Sequence, residues 1–182
     1  MPTVDYDDLD IPEESRLRVD PDLERARSVA LRILSAGPRS RADLTERLRG
    51  RDINEEVIFE LLEGFERVGL IDDTEYAKAV ARTRFAERGR ARRAIAQELS
   101  RKQLSDEDIA DAVSQISDEA EYSTALELAR KRLARDSSGD ITARKRRVAG
   151  YLGRRGYSPG VVMSCISTAL AEEQNADSHR HA

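Results

Sequence analysis

An apolar pattern that returns every fifty-odd residues constrains this chain more than any other feature. Leu44, Leu48, Ile53, Ile58, Leu62 and Phe65 come back as Ile95, Leu99, Leu104, Ile109, Val113 and Ile116, each pair 51 residues apart. A further step of 53 carries Ile95, Leu99, Leu104, Ile109 and Val113 onto Val148, Leu152, Tyr157, Val162 and Ile166. Only 39% of the chain is hydrophobic, and unrelated amphipathic helices would not hold five positions in register twice, so three tandem copies of one unit are predicted. A unit of about 45 residues is marginal alone, and the copies must therefore stack.

The middle copy is the clearest. Asp72 with Glu75 forms a capping box at the start of a helix that Gly89 ends, and a second helix, beginning near Arg90, carries Ile95 and Leu99 on one face. Ser105 caps a third, with Asp106, Glu107 and Asp108 in its first turn, where the helix dipole favours negative charge, and with Ile109, Val113 and Ile116 as its buried stripe. The first copy shows the same punctuation at Gly37-Pro38, Ser40, Asn54 and Gly69. In the third copy Ala125, Leu128, Ala129, Arg132 and Leu133 follow Ala77, Val80, Ala81, Arg84 and Phe85 at a constant 48, which places a five-residue polar insertion at 136–140. Ser158-Pro159 opens the last helix, which is expected to end near Leu170.

Strand-like alternation is absent, so the expected class is all-α: three tandem three-helix repeats in an elongated, curved array. The boundaries are a disordered acidic arm at 1–21, repeats at 22–69, 70–117 and 118–171, and a polar tail at 172–182. Residues 1–24 carry nine acids against two bases, and the arm has no helical period.

The net charge is only −4, yet the charges are sorted along the chain. Residues 25–51 hold eight bases and two acids, and residues 52–75 hold nine acids and one base; residues 78–102 hold nine bases and two acids, and residues 103–121 hold seven acids and no base. Residues 130–155 return to ten bases against two acids. In each of the first two repeats the leading helices are basic and the closing helix is acidic, a sorting that solubility alone does not require.

No phosphate-binding glycine loop or serine elbow occurs, and both histidines, His179 and His181, lie in the tail, so no catalytic residue, metal site or cofactor is expected. Asp72-Asp73 is explained by capping. The single cysteine, Cys165, excludes an internal disulfide framework, and no segment is apolar enough to span a bilayer, which points to the cytoplasm and away from membranes. The elbow before the third helix resembles a helix-turn-helix, but the acidic residues there, Asp106, Glu107, Asp108 and Asp111 or Glu55, Glu56, Glu60 and Glu63, would meet DNA phosphates at close range, which disfavours sequence-specific reading.

The residues Gly69-Leu70-Ile71-Asp72-Asp73, Tyr76-Ala77, Arg84, Gly89, Arg93, Ile95, Glu98-Leu99 and Lys102 resemble the signature of the RecX family, regulators of the RecA recombinase, over about residues 26–170. Gln103 departs from it, standing where the family usually has glycine; a left-handed conformation there would cost up to about 1 kcal/mol, while Gly156 keeps the glycine in the third repeat. The resemblance implies a partner, the RecA filament on single-stranded DNA, bound by a monomer that modulates ATP hydrolysis, strand exchange and the SOS response. The charge map gives the candidate contacts: Arg82, Arg84, Arg88, Arg92, Arg93, Lys102, Arg132, Arg144, Lys145, Arg146, Arg147 and Arg155. Of these, Arg84, Arg88 and Arg92 follow the turn between helices and are expected to face one direction. The competing expectation is a nonspecific DNA-binding protein that covers the strand.

Overall fold

The structure, a computed structural model, describes residues 20–135 and 140–180. Among them are nine helices and no strand: α1 (Pro21–Ser35), α2 (Arg41–Arg49), α3 (Glu55–Arg67), α4 (Asp73–Arg88), α5 (Arg92–Arg101), α6 (Asp106–Ser114), α7 (Asp118–Ala134), α8 (Ile141–Arg154) and α9 (Pro159–Arg180). The capping residues read from the sequence hold these starts. Ser40 Oγ accepts from the Asp43 amide, Asp72 Oδ1 from Glu75, and Ser105 Oγ from Asp108.

The chain divides into two compact units between Ile71 and Asp72. The first contains α1–α3 around one core in which Ala26, Ala30, Leu44, Leu48, Ile58, Leu62 and Phe65 are buried. The second contains α4–α9 and two cores, one under Ile95, Leu99 and Ala112, the other under Val148, Leu152, Cys165 and Ile166. In every repeat the first helix packs most heavily on the third. It does so with a pair of alanines one turn apart, Ala26 and Ala30, Ala77 and Ala81, Ala125 and Ala129, all at most 1% exposed. So small a pair lets the helix axes come close.

The turn from second to third helix is also the same three times. Asp52, Gln103 and Gly156 take left-handed backbone angles, φ 57°, 59° and 93°, at the 51- and 53-residue offsets of the repeat. Only the third must be glycine for space: a Cβ on Gly156 would lie 2.5 Å from the Ala94 Cβ. That contact belongs to a seam where the second and third repeats dock elbow to elbow. The Ala91 amide donates to the Arg155 carbonyl at 2.9 Å, and Ala91 itself is buried in the core of the third repeat.

Several boundaries differ from the sequence reading. Asp20 and Pro21, assigned to the arm, start α1 as N-cap and first residue; the rest of the arm, 1–19, and the insertion residues 136–139 lie outside the described residues. The helix expected near Arg90 begins at Arg92, behind an Ala91 cap that offers no side-chain acceptor. Val113, read as core, is half-buried, and Ala112 takes the buried place. Most substantially, α9 does not stop near Leu170 but continues to Arg180. Ion pairs carry it onward: Glu172 takes both hydrogen bonds of the Arg130 guanidinium at 2.7 Å, and Glu173 pairs with Arg144 at 2.8 Å.

Candidate functional site

The twelve candidate cations fall into two groups once their partners are known. Arg84 on α4 is held by Glu98 of α5, with Nε to Oε1 at 2.8 Å and a terminal nitrogen to the same oxygen at 2.7 Å, and Arg90 reaches Glu98 Oε2 at 3.2 Å. Paired with a hydrogen-bonding guanidinium, Glu98 has its carboxyl pushed below the ordinary glutamate range and Arg84 is raised in turn. Arg92 closes on the third repeat, pairing with Asp118 and with Glu121, and Glu121 Oε1 also accepts from the Arg92 amide at 2.7 Å. The cap that α5 lacks in its own sequence is thus supplied by α7. Arg144 is 8% exposed and donates to the Leu133 carbonyl and to Glu173. These three arginines hold helices together, so of Arg84, Arg88 and Arg92, expected to face one direction, Arg84 and Arg92 are taken up by carboxylates within the fold.

The second group is exposed or half-buried. Among the described residues Arg82, Arg88, Arg93, Lys145 and Arg146 are exposed and have no carboxylate partner, and Arg147 is exposed on the same helix as the last two. Lys102 lies 5.7 Å from the Tyr76 ring. Arg155 stacks over Tyr151 at 3.9 Å, and Arg132 stands 5.8 Å from the same ring.

Two of these cations meet at the seam, with a third that is not among the candidates. Arg88 at the end of α4 and Arg155 at the end of α8 line a groove of about 680 Å³ together with Lys131 of α7 and Tyr151. Arg155 Nε donates to the Arg88 carbonyl at 3.2 Å, so the guanidinium is fixed by a backbone acceptor on one edge and by an aromatic ring below it. No carboxylate of the described residues takes its terminal nitrogens. A pre-set planar fork with open donors suits an anion with several oxygens, a phosphate or a carboxylate. The groove is not uniformly basic: Glu87 and Glu127 also line it, and Glu127 holds Lys131 at 3.2 Å.

Lys131 and Tyr151 were missed in the sequence. Lys131 has no basic counterpart 48 residues earlier, where Thr83 stands, and only the fold brings it and Tyr151 to Arg88. Lys145, Arg146 and Arg147 share α8 with Tyr151 but do not line the groove.

Three-helix repeats with a charged surface, the second and third docked at their elbows, define a helical-repeat protein. The chain belongs to the RecX family: models described as the first, second and third three-helix domains of RecX match residues 26–63, 72–113 and 119–166. It is 43% identical to "Regulatory protein RecX" of Streptomyces coelicolor, over 86% of this chain and 84% of that protein. It is 42% identical to the protein of the same name from Thermobifida fusca, over 82% and 80%. The crystal structure of RecX from Lactobacillus salivarius superposes with a TM-score of 0.74 at 26% identity, covering 81% of this chain and 96% of that one. The chain is accordingly a regulatory protein of the RecX type. No helix among the described residues is long and apolar enough to cross a membrane.

Proposed function

We propose that this chain binds the RecA filament on single-stranded DNA as a cytoplasmic monomer and restrains it, lowering ATP hydrolysis, strand exchange and repressor cleavage. The observation that supports this most is the division among the arginines. Arg84, Arg92 and Arg144 are paired with carboxylates within the fold, whereas Arg82, Arg88, Arg93, Lys145, Arg146 and Arg155 keep donors without carboxylate partners on the second and third repeats. Uncompensated guanidinium groups on a packed helical frame favour a partner rich in phosphate or carboxylate oxygens, and a nucleoprotein filament offers both.

The alternative, a nonspecific coat on bare DNA, gains little from the aromatic residues. The Tyr151 ring has an arginine stacked on it, Tyr157 is 5% exposed, and Tyr76, Tyr122 and Phe85 are half-buried, so none of these five is a free platform for bases; Phe59 is exposed, with Arg41 5.7 Å from its ring. Fluorescence anisotropy on a labelled oligonucleotide separates the readings. Tighter binding to the RecA-coated strand than to the bare strand is expected. Equal or tighter binding to the bare strand, with affinity falling by about 10³ to 10⁵ between 50 and 200 mM salt, would favour the coat.

A further inference from the structure

Large apolar side chains at the surface are concentrated on the first three-helix unit. Of the exposed ones, Leu31 (44%), Phe59 (62%), Val68 (69%) and Leu70 (48%) all line a single groove of about 830 Å³ formed by α1, α3 and the turn that follows α3, where Leu23 and Gly64 complete it. Scattered exposed leucines need no explanation, but a contiguous set along one trough marks a surface that something else covers.

Gly64 says what kind of object that is. It lies inside α3 with a helical backbone, and nothing stands within 4 Å of where its Cβ would be. Neither a positive φ nor a close neighbour within the chain calls for glycine, and a glycine in a helix interior weakens the helix relative to alanine. What a missing Cβ on a groove floor does permit is close approach by another backbone. A trough between two helices with apolar walls and a bare floor is the shape that receives the apolar stripe of a third helix. The rim adds charge. Arg27 and Arg67 are without carboxylate partners among the described residues, and Glu60 is without a basic one, so both signs are open to a partner.

We propose that this groove docks an amphipathic α-helix of a partner protein, one that presents apolar anchors at i, i+3 or i+4, and i+7, a small residue over Gly64, and carboxylates toward Arg27 and Arg67. The proposal rests on the RecA reading above and deepens it: the first repeat holds protein, while the unpaired cations of the later repeats meet phosphate. Two contacts on separate surfaces would let one chain recognise protein and nucleic acid together.

The test uses the full chain and a Gly64→Leu variant, which fills the floor with a good helix former at a position with open space. Each is titrated onto RecA filaments assembled on a labelled oligonucleotide and, separately, onto the bare oligonucleotide, with melting curves and sedimentation velocity for both. The expected result is a melting temperature equal to or above wild type, unchanged affinity for the bare strand, and affinity for the filament reduced at least tenfold. Unchanged filament affinity overturns the groove proposal and leaves the RecA reading standing; a wild-type chain that does not bind filaments overturns both. A variant that melts lower shows that the glycine serves the fold. Loss of bare-strand binding in parallel, or a wild-type dimer that the variant dissociates, assigns the groove to nucleic acid or to self-association, and each overturns the proposal.

Discussion

The Tyr157 hydroxyl donates to the Gly89 carbonyl at 3.1 Å, bridging 68 residues of chain and joining the third repeat to the second at their elbows. Burial pushes the Tyr157 phenol well above its ordinary range, so it stays a donor through alkaline pH. Gly89 is itself the left-handed end of α4, and the Leu128 side chain would stand 2.8 Å from a Cβ placed there. This hydrogen bond joins those from the Ala91 amide to the Arg155 carbonyl and from Arg155 Nε to the Arg88 carbonyl in fixing the position at which the two repeats touch. Tyr157→Phe keeps the ring but leaves that carbonyl without its donor. It should lower stability by about 1–2 kcal/mol, with the loss seen in urea unfolding followed by circular dichroism.

The recurrent elbow gives a pair of substitutions with opposite signs. Gln103 at φ 59° carries left-handed strain that glycine would relieve, and part of the gain is offset by the freedom glycine has in the unfolded chain. Gln103→Gly should raise stability by about 0.5 kcal/mol. Gly156→Ala meets Ala94 at 2.5 Å as well as the unfavourable angle, and should cost about 2–3 kcal/mol. Thermal melts of the two variants that moved in the same direction would break the assignment.

That contrast also shows how much of the fold the sequence made legible. The repeat was readable because buried positions obey a strict periodicity: of the positions aligned across the three copies, from Leu44 to Ile166, only Val113 is half-buried. Caps were readable for the same reason, since a serine or aspartate two or three residues ahead of its amide acts locally. What was not readable is long-range. The cap of α5 comes from Glu121, 29 residues away, and Arg92 could not be separated from Arg93 as structural before α7 was in place. The candidate site suffered most. Arginines that pair and arginines that do not look alike in a basic run, and the Arg88, Lys131 and Arg155 groove has contributions from three helices.

Glu98 supplies a pH dependence. Its carboxyl is held below the ordinary value of 4.5, chiefly by its hydrogen bonds with Arg84, so it is ionised more readily in the folded chain than in the unfolded one. A lowered native value contributes stability that is present above the unfolded value and is lost as the pH falls through the native one. Glu98→Gln should be less stable than wild type at pH 7, by about 1–2 kcal/mol, and should show a shallower loss of stability on acidification below about pH 4.5. Parallel curves for the two proteins between pH 7 and pH 3 would count against the pairing.

The extension of α9 makes a prediction about truncation. A chain ending at Leu170 keeps the apolar core of the third repeat but loses Glu172 and Glu173, leaving Arg144 buried without its carboxylate. Glu173 is partly exposed, so the cost is well below that of breaking a fully buried pair, about 1–2 kcal/mol. Restoring stability in the truncated chain by Arg144→Met would show that the unpaired charge, and not the lost helix length, is responsible.

The central claim is that this RecX-family chain restrains RecA, and titrating it into RecA-catalysed ATP hydrolysis on single-stranded DNA tests it most directly. The account predicts that hydrolysis falls at amounts well below one chain per RecA protomer. It also predicts that Arg88→Glu combined with Arg146→Glu, two cations without carboxylate partners, shifts the inhibition curve to at least tenfold higher concentration while the helical circular-dichroism signal is unchanged. Hydrolysis that is unaffected at any ratio, or that falls only when the bare strand is fully covered, would contradict it.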